Sequence, residues 1–186
     1  MSTLTQAQQD TLIAFIQADP VMNALPHTQD GASAIADLLV VEATPAFRVW
    51  KSDTLVVDIY NQLNWANYTP ANPDAVLDAN VIYTNRSLAC QGKQFNLQTL
   101  LSGRDYLDTS KANVRAGLQD ATTAIPSGAN GATKSGGWTA IQLIIQRNAN
   151  IIEHLFATGT GTEASPATMS FEGRLSSSEL YEILGW

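Results

Sequence analysis

At 186 residues, with 45% apolar side chains, only 15% charged ones and a net charge of −7, the chain suits one domain with a real core, or one domain plus an arm. Residues 1–80 hold nine acids against Arg48 and Lys51, whereas 81–186 hold eight of each sign, so the whole excess lies early; that balance excludes phosphate-neutralising nucleic-acid binding, which needs clustered Lys and Arg. Cys90 stands alone, which excludes an internal disulfide, and no apolar run approaches the roughly 20 residues of a membrane span.

The charged share falls below the ~25% usual for soluble domains, and Asn, Gln, Ser and Thr supply the polarity instead. Such a surface can be buried in an assembly without stranding ions. Gln and Asp occupy the N-terminal stretch where a signal peptide needs basic and then apolar residues, so the expectation is a protein made and folded in a cytoplasm.

In chain order, Thr5 with Gln8 forms a capping box, and Leu12, Ile13 and Ile16 give one apolar helical face. Asp19-Pro20 stops that helix, because a residue before proline avoids the α region. A second helical pattern begins near Thr28 or Asp30 and carries Ile35, Leu38 and Leu39. From Ala43 to Lys51 the pattern alternates, with Phe47 and Val49 against Arg48 and Trp50, and predicts an extended segment with two usable faces. Ser52 or Asp53 should cap the next helix, whose stripe is Val56, Ile59, Tyr60 and Leu63. Asn72-Pro73-Asp74 is a strong helix start, with a cap, a proline and then an acid facing the dipole. Positions 77, 81, 84, 88, 91 and 95 follow helical spacing, with Gly92 as the expected break and Ser102-Gly103 as the end.

Asp108 is expected to cap a helix carrying Val114, Leu118, Ala121 and Ile125 up to Pro126. Residues 126–137 read as a flexible Gly/Ser loop, long for a helix–helix connection. The clearest periodicity follows, from Trp138 to Phe156 through Ile141, Ile144, Ile145, Ile151, Ile152 and Leu155, with Asn148 interrupting the face. Past Thr158 the period changes, and Met169 and Phe171 alternate with polar neighbours after Pro166. Ser176 with Glu179 opens a short final helix.

Chemistry finds little foothold. Gly128 to Ser135 approaches the phosphate-cradling pattern, but Thr133 stands where its last glycine belongs, and a helix precedes it rather than a strand. His27 and His154 are the only histidines, and Glu153-His154 lacks the second histidine of a zinc helix. No Gly-x-Ser-x-Gly elbow is present, and Asp74 with Asp78, one helical turn apart, reads as a solvated acidic face. The expectation is therefore no enzyme, no catalytic residues, no cofactor and no metal.

The tail is more telling, because Leu180, Tyr181, Ile183, Leu184 and Trp186 crowd a region where chains usually fray and stay polar. It either folds onto its own core or docks into a neighbour with aromatic and aliphatic anchors.

Four stretches carry a resemblance. They are Phe47-Arg-Val-Trp-Lys-Ser-Asp53, Ser110 to Asp120, Leu155 to Pro166, and Met169-Ser-Phe-Glu-Gly-Arg-Leu175. The chain resembles small virion structural proteins of tailed bacteriophages, most closely head–tail connector adaptors. That resemblance implies a helical subunit in a ring, often twelvefold, beneath the portal protein. The ring would extend the DNA channel, pass DNA without specific binding, and offer a platform to the next neck or tail component. It implies a virion location at the neck, with assembly in the host cytoplasm and no membrane. An acidic lumen supplied by residues 1–80 would repel passing DNA. Capsid decoration or tail completion is the alternative virion role, and a nucleotide-binding enzyme resting on Lys134 and Ser135 is the third.

The expected fold is mainly α, a bundle of about five to six helices with extended segments near 44–51 and 163–175 and a C-terminal arm. Residues 1–160 are expected as the helical domain, and 161–186 as the docking arm. The candidate assembly interface is Phe47, Val49, Trp50, Met169, Phe171, Leu175, Leu180, Tyr181, Ile183, Leu184 and Trp186.

Overall fold

The computed structural model describes residues 4–70 and 83–186, and the expected helix start at Asn72-Pro73 lies outside them. The order is α1 (Gln6–Ala18), α2 (Gln29–Leu39), β1 (Arg48–Trp50), β2 (Thr54–Leu55), α3 (Val56–Gln62), α4 (Tyr83–Leu101), β3 (Tyr106–Leu107), α5 (Ala112–Thr122), α6 (Trp138–Ile144), β4 (Gln146–Asn148), α7 (Ile151–Leu155), β5 (Ala157–Thr158), β6 (Thr168–Met169) and α8 (Ser177–Leu184). The fold is mainly α. It divides into a first unit, Met1–Trp50 with Arg147–Trp186, and a second, Lys51–Gln146.

In the first unit three helices begin on reciprocal caps. Thr5 and Gln8 close one at α1, Asn150 and Glu153 one at α7, and Ser176 and Glu179 one at α8. Helix α8 packs chiefly on α2, and also on α1. Leu12 and Ile16 of α1, Ile35 and Leu39 of α2, Ile152, Leu175 and Leu180 share one core. Each such side chain, fully buried, contributes about 1.5–3 kcal/mol.

Beside that core, β1 is held along both edges. The Ala149 N–H donates to the Phe47 carbonyl (2.8 Å), Arg48 N–H to Gly161 (2.7 Å), and Ala167 N–H to Arg48 (2.8 Å). Val49, Ala149 and Ala167, all fully buried, fill the centre of this three-segment ladder. Gly161 takes a left-handed φ of 64° with the Phe47 ring pressed against it, and a Cβ there would run into the ring. Strands β5 and β6 pair antiparallel, Ala157 with Met169 and Thr158 with Thr168.

In the second unit β2 and β3 pair antiparallel, α4 packs on α5, α5 on α6, and α6 on α3. Several polar groups inside are partnered, although the buried Ser127 hydroxyl has no partner among the described residues. Thr54 and Thr109 share a hydroxyl hydrogen bond of 2.8 Å, and the Thr109 hydroxyl donates to the Lys51 carbonyl at 2.7 Å. The Tyr68 hydroxyl donates to the Ala121 carbonyl (3.0 Å), and burial pushes its pKa up to about 12. Arg86, buried on α4, donates to the Gly128 carbonyl at 2.7 Å.

Several expectations need correction. The helix expected from Trp138 to Phe156 is two helices split by β4, because Asn150 and Glu153 cap a new start within the polar run Gln146-Arg-Asn-Ala-Asn. The helix after Asp108 starts at Ala112; the Asp108 carboxylate instead accepts from the Ser110 N–H (3.1 Å), closing a turn. Ser52 and Asp53 do not cap α3, since Thr54 and Leu55 are in β2 and α3 starts directly after it. Helix α4 runs through Gly92 unbroken. The boundary expected at 160/161 falls inside the first unit, where Leu175 and Leu180 complete the core of α1 and α2.

Candidate assembly surfaces

The eleven candidate interface residues all belong to the first unit, and they gather in two places. Val49 is fully buried, with Phe47 and Met169 packed against its cluster. Trp50 is half-buried at the end of β1. Leu175 and Leu180 are in the main core, with Phe171, Ile183, Leu184 and Trp186 packed against it and Tyr181 half-buried. Aromatic contacts hold the periphery. Phe47 stacks on His154 with ring centres 4.0 Å apart, Phe171 meets Phe156 edge-on at 6.1 Å, and Trp186 stacks on His27 at 4.4 Å. These side chains are engaged inside the chain itself.

Beyond the β5–β6 pairing and the packing of Phe171, charge also fastens Glu172 and Gly173 to the unit. Glu153, 2% exposed, takes a forked pair from Arg147: Nη1 to Oε2 at 2.6 Å and Nη2 to Oε1 at 2.7 Å. It also accepts the Asn150 N–H and the Gly173 N–H, each at 3.0 Å. Arg147 reaches on to Glu172 at 3.0 Å. One buried carboxylate thus ties a helix cap, a strand and a loop together. Burial pushes the Glu153 carboxyl up, but Arg147 and the Gly173 and Asn150 amides outweigh it and hold it below the usual range.

A carboxyl depressed in the folded state contributes stability that is fully present above its unfolded value of about 4.3 and lost as pH falls through the folded one. Thermal unfolding at pH 7 should therefore favour the native chain over Glu153→Gln. The gap should begin to narrow below about pH 4.3, the unfolded value, and close as pH falls through the lower folded one. A gap of equal size at both pH values overturns this account.

The surfaces that sequence reasoning missed are elsewhere. On the first unit, Phe15, Val41, Ile151, His154 and Leu155 line a groove of about 590 Å³, and a smaller one continues it past Val21, Leu38 and Val41. On the second unit, Leu55, Val57 and Tyr106 are exposed around a depression of about 450 Å³. The third surface is the outer side of α4. Its stripe of Thr84, Leu88, Gln91 and Phe95, which follows helical spacing and is only partly apolar, faces away from the core, with Leu88 61% and Phe95 67% exposed. The buried seam is Arg86, Cys90, Lys93, Leu97 and Leu101, and its cations donate to the Gly128 and Asp120 carbonyls. The missed signal was the 4-3 spacing of Arg86, Cys90, Lys93 and Leu97, masked by two charged members.

The phosphate-like loop closes on itself. Ile125 and Lys134 exchange backbone hydrogen bonds of 2.9 and 2.8 Å, and the Gly128 N–H donates to the Ala132 carbonyl at 2.8 Å. That amide is turned inward, away from any phosphate. Among the described residues no group of three or more His, Cys, Asp or Glu could hold a metal, and no helix is long and apolar enough to cross a membrane. No family model, curated protein or solved structure matches this chain.

Proposed function

We propose that the chain is a structural subunit of a bacteriophage head–tail connector, assembling as a ring beneath the portal that extends the DNA channel and links it to the tail. The observation that carries this reading is the apolar groove along Phe15, Val41, Ile151 and Leu155, open on a unit whose own extended segments are already paired. An extended apolar segment of the portal protein fits such a groove, with the His154 ring and the Glu42 carboxylate at its lining to fix register. Ring contacts are heterologous, so one subunit meets its neighbours through two different surfaces, and the second unit's Leu55–Val57–Tyr106 patch supplies one of them while the groove is left to the portal segment. An acidic lumen, with residues 1–80 as the source of its charge, would repel DNA in transit. A ring of the kind the resemblance implies, often twelvefold, joins the virion at its neck.

Mass photometry of the chain mixed with purified portal is the test. A discrete ring-sized species is expected, and Val41→Glu, at an exposed groove position, should abolish it at an unchanged melting temperature. Binding to empty capsids with no association to portal would instead establish a decoration role and overturn the connector. Nucleotide-induced thermal stabilisation that Lys134→Ala removes would establish the nucleotide-binding enzyme.

A further inference from the structure

We infer that the outer face of α4 is a self-association seam, and that its occupant is the same helix of a second copy of this chain. The inference stands apart from the connector reading, because it concerns a surface that reading does not use.

The geometry is that of a helix with two seams. Arg86, Cys90, Lys93, Leu97 and Leu101 face inward, and α5 packs on α4. Two residues back in register, about 200° round the axis, Thr84, Leu88, Gln91, Phe95 and Gln98 repeat at intervals of four and three and are all exposed. A 4-3 repeat is the spacing along which a second helix lies, each knob dropping into a hole on the partner. Knobs and a hole are both present. Leu88 and Phe95 stand out, and Gly92 between them has nothing within 4 Å of where its Cβ would be. The depression over Gly92 is about 530 Å³.

Charge selects the occupant. The exposed side of α4 from Thr84 to Thr99 carries Thr, Asn, Leu, Ala, Gln, Gly and Phe and no ionised group, because Arg86 and Lys93 are turned inward. Unlike partners are usually sorted by charges flanking such a seam, and this one has none with which to choose. Two copies of a chain at net −7 repel over most surfaces, but the described face of α4 from Thr84 to Thr99 brings no carboxylate into the seam. Gln91 and Gln98 can exchange amide hydrogen bonds across the pair and fix its register. A 19-residue helix spans about 28 Å. Its contact sits at the small end of interface sizes, so the dimer is concentration-dependent.

Sedimentation equilibrium of the full chain from micromolar to submillimolar concentration tests this. The native protein should pass from monomer to dimer. Phe95→Glu should weaken pairing at least about tenfold without moving the melting temperature. Gln91→Cys should give a covalent dimer on oxidation, while native Cys90, buried on the inner seam, should not. A native chain that stays monomeric throughout, or a dimer indifferent to Phe95→Glu, overturns the seam. So does a Phe95→Glu variant that melts well below the native chain, because that side chain would then be covered by its own chain.

Discussion

Deleting residues 176–186 is expected to abolish the cooperative thermal transition of the first unit. Leu180 is fully buried between α1 and α2, with Ile183, Leu184 and Trp186 packed around the same core. Truncating one such leucine to alanine costs about 2–5 kcal/mol. A whole domain holds only about 5–15 kcal/mol. Removing the helix therefore takes away a large fraction of the stability and bares Ile35 and Leu39. Circular dichroism on the truncated chain reads the result directly, and Leu180→Ala gives the graded version, with a lowered but cooperative transition. An unchanged melting temperature combined with lost assembly would instead make residues 176–186 a detachable docking arm.

Arg147→Met should be the most damaging single change near the surface, at about 3–5 kcal/mol. Arg147 itself is partly exposed, but its removal leaves Glu153 charged at 2% exposure with only two backbone amides to hold it. Arg147→Lys keeps the charge and loses the fork, so it should fall between. The diagnostic variant pairs Arg147→Met with Glu153→Gln. Because the two side chains form one unit, the double change should cost clearly less than the sum of the singles. Additive losses, measured by urea denaturation, would show that the buried pair is not coupled.

Local chemistry was legible where a few adjacent residues decide it. The boxes at Thr5–Gln8 and Ser176–Glu179 mark two helix starts, and Gly103 ends α4 where Ser102-Gly103 suggested. The same signal at Asn150–Glu153 was hidden by the isoleucines on either side, whose helical period continues across a break. On α4 the helical spacing of Thr84, Leu88, Gln91 and Phe95 marks the exposed face and not the buried one. A buried seam containing Arg86 and Lys93 is recognisable only once their carbonyl acceptors, Gly128 and Asp120, are in place. Long-range pairing was the least visible. Nothing in the tail's own sequence says that Leu175 and Leu180 complete a core begun at Leu12, or that Val49 finds Ala149 and Ala167. Apolar residues of the extended segments and the tail thus also serve the chain's own packing.

The interruption of the first unit by the second sets a timetable during synthesis. Residues 51–146 form a continuous stretch that can close as soon as it leaves the ribosome, whereas α1 and α2 wait for partners encoded far downstream. From Leu39 to Leu180 the ribosome adds 141 residues, roughly 7–28 s at ordinary elongation speeds. Until its end Leu12, Ile16, Ile35 and Leu39 have no Leu180 to cover them, and for most of it they lack Ile152 and Leu175 as well. The apolar faces of α1 and α2 are thus left uncovered for the length of that interval, and slow codons between residues 40 and 150 would lengthen their exposure rather than assist their folding.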